Sequence, residues 1–127
     1  MKIYGIGTDI VSIERIKKSL KNKRFVSRVF NLREILKCKK IKNCNQCFAK
    51  RFAAKEAFSK ALGTGISKGI NLNEIIVQNN ISGKPYLLLE GNTKKVIKNK
   101  FKNKKIKTSL SLSDENKYAV AFVTISI

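Results

Sequence analysis

Residues 48–66 read FAKRFAAKEAFSKALGTGI, and this stretch decides the fold. Alanines and phenylalanines recur on nearly every side of its helical wheel, the pattern of a helix that is mostly buried. The helix is expected from about Gln46 to Leu62, ending at Gly63, where glycine takes a left-handed C-cap easily. A buried helix needs a second layer, and the C-terminal half supplies one. NEIIVQN (73–79), KPYLLLEG (84–91), IKTSLSLS (106–113) and KYAVAFVTISI (117–127) read as strands. NISG (80–83) and DEN (114–116) read as turns, and NTKKVIKNKF (92–101) as a short basic helix. The expected class is α+β, one antiparallel sheet with the long helix packed on it.

The N-terminus starts as a strand. In KIYGIGTDIV (2–11), Tyr4, Ile6, Thr8 and Ile10 share one face; Gly5, Gly7 and Asp9 share the other. A face lined by glycine invites close approach of another element. Ser12 is placed to cap a helix, IERIKKSLK (13–21), with Ile13, Ile16 and Leu20 as its apolar stripe. Asn31 and Glu34 make a capping-box start to LREILKCKK (32–40), and the basic stretch Lys39–Asn45 is expected to loop out.

The length of 127 residues suits one domain, residues 1–127. A hydrophobic content of 43 % excludes a disordered chain. No apolar run approaches the roughly 20 residues that span a bilayer, and the first residues lack a signal-peptide core, so a cytoplasmic protein with no membrane partner is expected. The net charge, 28 − 8 = +20, favours anionic partners. It does not choose between nucleic acid, an acidic protein and a phosphorylated small molecule. Lys, Asn and Ile are abundant together, as AT-rich coding alone would produce. Cys44 and Cys47 form a C-x-x-C, but the chain has no histidine and no second pair, so Cys38, Cys44 and Cys47 are expected as free thiols rather than zinc ligands.

Glu56 is one of only eight acids, set among alanines and phenylalanines. An i,i+4 salt bridge to Lys60 is one reading. Asp9 offers another, being a carboxylate on the glycine-lined face of the first strand. Two such carboxylates meeting across a sheet–helix interface suit Mg²⁺, which takes hard oxygen ligands and keeps open positions for phosphates. Lys60, one turn beyond Glu56, would then face a phosphate. GTGI (63–66) and GKP (83–85) offer backbone N–H groups and lysine charge for further phosphates.

YGIGTDIV (4–11), AKRFAAKEAFSKALGTGI (49–66), GKPYL (83–87) and SLSLSDENKYAVAFV (109–123) together resemble the holo-[acyl-carrier-protein] synthase family of small bacterial 4′-phosphopantetheinyl transferases. The resemblance covers essentially the whole chain in order. It implies transfer of 4′-phosphopantetheine from coenzyme A to a serine of acyl carrier protein, with release of adenosine 3′,5′-bisphosphate, in support of fatty acid biosynthesis. It implies a homotrimer with active sites between subunits. Asp9 and Glu56 would hold Mg²⁺, and Lys60 would contact the pyrophosphate and act in catalysis. Arg51, Gly63, Thr64, Gly65, Lys84 and Pro85 would line the coenzyme A site, and Arg15 would face the acidic carrier protein. Many members place a histidine where this chain has Asp114, so the base is either Asp114 or a metal-bound water; a turn role for Asp114 stands beside both. The rival class is a nucleic-acid binder using KKVIKNKFKNKKIK (94–107). It lacks a recognisable motif and displayed aromatics, so no nucleic-acid partner is expected.

Overall fold

The computed structural model describes residues 1–65 and 69–127. The central element is α4 (Cys44–Leu62), of which Ala49, Ala53, Ala54, Ala57, Phe58, Ala61 and Leu62 are buried. It begins two residues earlier than the pattern suggested, shortening the basic loop before it. It ends at Gly63, whose φ of 83° makes the expected left-handed cap.

On one side of α4 lies a three-stranded antiparallel sheet in the order β1 (Ile3–Ser12), β5 (Tyr118–Ser126), β4 (Lys107–Asp114). Strand β5 alternates cleanly. Ala119, Ala121, Val123 and Ile125 are buried on the helix side, while Tyr118, Val120 and Phe122 are exposed on the other. Strand β1 is held closest. A Cβ built on Gly7 would lie 1.9 Å from the Ala57 carbonyl oxygen, and one on Gly5 equally near that of Ala61. Glycine facing alanine brings the two backbones into contact, which is the close approach read from the sequence.

The other strands, β2 (Ile75–Asn79) and β3 (Pro85–Leu89), form a separate antiparallel hairpin. Among the described residues the strands therefore make two sheets and not the single one expected, because β3 packs beside β4 without pairing to it. Around α4 sit α1 (Ile13–Ser19), α2 (Lys23–Val29), α3 (Leu32–Lys39) and α5 (Gly91–Lys100). Ser12 caps α1 through the Arg15 N–H, and α3 opens on the complete Asn31–Glu34 capping box. The Asn22 side chain caps α2, a helix the sequence reading did not anticipate. Helix α5 is capped from outside: Glu74 accepts from the Asn92 and Thr93 N–H groups and from the Thr93 hydroxyl. The Asn71 amide, and after it the Thr93 and Asn92 donors, hold the Glu74 carboxyl below its ordinary pKa.

Two buried features join α3 to α4. Glu34 and Lys55 are fully buried and bonded at 2.7 Å. Glu34 also accepts from the Asn31 and Val77 N–H groups, and Lys55 also donates to the Leu72 and Ile75 carbonyls. The pair thus ties α3, α4 and β2 together with its hydrogen-bonding capacity used, the condition under which burying two charges is tolerated. Burial draws the Lys55 ammonium below its usual pKa, against the pull of Glu34. The second feature corrects the expectation of free thiols. Cys38 and Cys47 form a disulfide, their Cα atoms 5.5 Å apart where α3 crosses α4; only Cys44 is free.

Candidate active site

Strand β1 presents Asp9 toward α4, and α4 presents Glu56 back. Both line one cavity of about 400 Å³ whose wall also includes Ser12, Arg15, Phe25 and Phe52. The glycine–alanine contact sets this geometry, since Gly7 and Ala57 are the neighbours of Asp9 and Glu56 two positions and one position away. Glu56 is half-buried rather than enclosed. Burial first, then the nearby Asp9 carboxylate, push its pKa up, with Lys60 opposing. The Lys60 ammonium donates to Asp9 Oδ1 at 3.1 Å and to the Thr8 carbonyl at 3.0 Å. The i,i+4 bridge between Glu56 and Lys60 is therefore not made; Lys60 crosses to β1 instead.

Arg15 stands on the rim of the same cavity, so the structure brings together Asp9, Glu56, Lys60 and Arg15. Gly63 and Gly65 follow Lys60 at the C-terminal end of α4, both with positive φ, and Thr64 lies exposed between them. Ile66, the last residue of GTGI, lies outside the described residues.

Arg51 and Asp114 are elsewhere. They line a second cavity of about 450 Å³ with Lys37, Lys50, Asn79 and Gly83, and no residue is shared between the two linings. The β2–β3 turn brings Lys84 and Pro85 to the same end of the molecule. There the Asn80 side chain accepts from the Lys84 N–H at 2.9 Å and Pro85 pairs with Asn79. Lys50 meets Asp114 Oδ1 at 3.0 Å. Arg51 is buried but has no carboxylate partner among the described residues. It donates to the Cys47 carbonyl and sulfur and to Asn79 Oδ1, and among the described residues its Nε has no partner. Burial lowers its pKa, with Glu34 opposing. A desolvated guanidinium short of acceptors is a ready receiver for an anion.

The helix explains the separation. Five residues from Arg51 to Glu56 advance about 7.5 Å and turn about 140° around the axis, so the two side chains leave α4 in different directions. The sequence reading gave Glu56 to the metal and Arg51 to the coenzyme A site, and within one chain the two residues line different cavities. Phe25 and Phe52, which wall the carboxylate cavity, were also missed; their rings lie 5.9 Å apart, joining α2 to α4.

The chain belongs to the 4′-phosphopantetheinyl transferase superfamily, whose family model matches residues 5–123. Within it, the chain is 51 % identical to a holo-[acyl-carrier-protein] synthase of Pelagibacter ubique, over 98 % of each sequence. The fold matches the crystal structure of the holo-[acyl-carrier-protein] synthase of Neisseria meningitidis with a TM-score of 0.87 at 38 % identity, covering 98 % of this chain and 99 % of that one. It also matches the Helicobacter pylori synthase in complex with coenzyme A, with a TM-score of 0.79 at 34 % identity over 95 % and 99 % of the two chains.

Proposed function

We propose that this chain moves the 4′-phosphopantetheine arm of coenzyme A onto a serine of an acidic apo-acyl carrier protein, with Mg²⁺, releasing adenosine 3′,5′-bisphosphate in the cytoplasm to serve fatty acid biosynthesis. The observation that carries the reading is the facing pair Asp9 and Glu56 with Lys60 beside it. Two carboxylates raise each other's cost of ionisation, and a divalent cation between them removes that conflict with the hard oxygen ligands it prefers. Asp9 and Glu56 would hold Mg²⁺, which when bound supplies positive charge to the pyrophosphate.

Lys60 has a largely exposed side chain, able to leave Asp9 for a phosphate oxygen and neutralise charge as the phosphorus–oxygen bond breaks. Arg15, at the rim of that cavity, steers the acidic carrier protein so that its serine enters beside the carboxylates. Arg51, Asn79 and the lysines of the second cavity hold the phosphorylated nucleoside end of coenzyme A, with Gly83, Lys84 and Pro85 closing around it and Gly63–Gly65 offering N–H groups near Lys60. Asp114 in that second cavity is the residue that accepts or orients the serine proton.

Such a division of labour needs two copies of the chain. A cyclic trimer uses heterologous contacts, in which one patch of each subunit meets a different patch of the next. That arrangement sets the Asp9–Glu56 cavity of one copy against the Arg51–Asp114 cavity of its neighbour. The outer sheet face supplies an apolar surface for it, since Ile6, Ile10, Val120 and Phe122 are all exposed there. The test is mass spectrometry of apo-acyl carrier protein incubated with the chain, coenzyme A and Mg²⁺. A mass gain of one phosphopantetheine arm is expected; an unmodified carrier protein overturns the reading.

A further inference from the structure

The basic segment Lys94–Lys107 takes no part in the chemistry above, yet it builds a site of its own. Helix α5 and the loop after it close over the gap where β3 and β4 lie side by side without pairing. The gap is a cavity of about 300 Å³ that shares no lining residue with the two cavities of the active site. Its floor is apolar, formed by Leu87, Leu89, Ile97 and Ile106; Leu87, Leu89 and Ile106 are only partly covered. Its mouth carries four exposed ammonium groups, those of Lys94, Lys98, Lys104 and Lys105. Among the described residues no acidic side chain lines it, and none of the four lysines is paired with a carboxylate.

The backbone at the mouth is strained. Lys102 and Asn103 stand in succession at φ of 53° and 64°, a left-handed conformation that side chains other than glycine's enter at a cost. The pair reverses the chain after α5 and brings Lys104 and Lys105 back to the cavity. Phe101, the aromatic that could have stacked on a base, is buried instead. An apolar slot under a ring of unpaired ammonium groups matches an anion with an alkyl tail better than a nucleic-acid backbone, which has no tail to bury.

We propose that the cleft between β3, β4 and α5 binds a medium-chain fatty carboxylate, with its alkyl chain on Leu87, Leu89, Ile97 and Ile106 and its carboxylate among Lys94, Lys98, Lys104 and Lys105. The proposal does not depend on the transferase reading. Titration calorimetry with butyrate, octanoate, decanoate and laurate, each below its micelle concentration, tests it. Affinity should tighten about fourfold per added methylene until the cavity is full, then level off. Octanoate should shift the methyl resonances of Leu87, Leu89 and Ile106. The Lys98→Glu/Lys104→Glu double variant should weaken decanoate roughly tenfold while keeping the wild-type melting temperature. Thr108→Phe fills the slot without removing charge, and should abolish the chain-length dependence. The proposal is overturned by affinity that is flat with chain length, by indifference to the charge reversal, or by binding of a random-sequence oligonucleotide or anionic vesicle at these lysines in the absence of decanoate binding.

Discussion

If α4 sends its two functional groups into different cavities, two inactive chains should repair one another. The perturbations are Glu56→Gln, which keeps the size of the side chain but removes the charge, and Arg51→Met, which keeps the buried apolar stem and removes the guanidinium. Alone, each should fall below about a hundredth of wild-type transfer, the first through lost metal and the second through lost substrate phosphate. In a cyclic trimer a working site needs Glu56 from one subunit and Arg51 from its neighbour. Random assortment of equal amounts of the two chains meets both conditions at one interface in four, so about a quarter of wild-type activity should return. The assay is transfer to apo-acyl carrier protein after co-expression of differently tagged chains, with native mass spectrometry verifying mixed assemblies. A mixture that assembles but stays inactive would refute the reasoning, because it would mean that both residues act within one chain. A Glu56→Gln/Arg51→Met double variant mixed with wild type supplies the control: it contributes no working half of its own.

Further outcomes are expected from residues described above. Lys55→Met strands the Glu34 carboxylate in the core, and should cost about 3–5 kcal/mol in urea unfolding; Glu34→Leu added to it should recover part of that loss. Gly7→Ala drives a methyl into the Ala57 carbonyl, 1.9 Å from its ideal position, and should lower stability by about 1–3 kcal/mol while cutting metal-dependent activity more than the unfolding loss explains. Glu74 has a depressed folded pKa, so its contribution is complete above the unfolded carboxylate value of about 4.3 and is lost as pH falls through the lower folded value. The stability gap between wild type and Glu74→Gln should therefore close on acidification from neutral pH, as read from urea midpoints. Arg15→Glu should raise KM for the carrier protein and leave KM for coenzyme A nearly unchanged; an equal rise in both would move the docking face elsewhere.

What could be read ahead of the structure was local. The buried helix, its glycine stop, the Ser12 and Asn31 caps and the glycine-lined face of β1 each follow from residues within a few positions of one another, and each is present. What escaped was non-local. Glu34 was legible as a cap and Lys55 as one cation among many, but their meeting depends on α3 crossing α4. The Cys38–Cys47 bond depends on the same crossing, and no spacing rule announces it. The failure of β3 to pair with β4 is a property of how two edges are held, which alternation within either strand does not encode. Helix α2 was missed because its polar, basic residues outnumber the three that face inward, Phe25, Val26 and Val29. The carboxylate pair was anticipated from the two glycines beside Asp9. Its separation from Arg51 was calculable from helical pitch.

That separation makes α4 a gauge. Four residues, Phe52, Ala53, Ala54 and Lys55, lie between Arg51 and Glu56, and each is at least partly buried. A substitution there leaves the angle between the two cavities unchanged, but an insertion or deletion of one residue would swing one cavity about 100° against the other. The spacing from Arg51 to Glu56 is therefore a constraint on length, one that the letters between them do not carry.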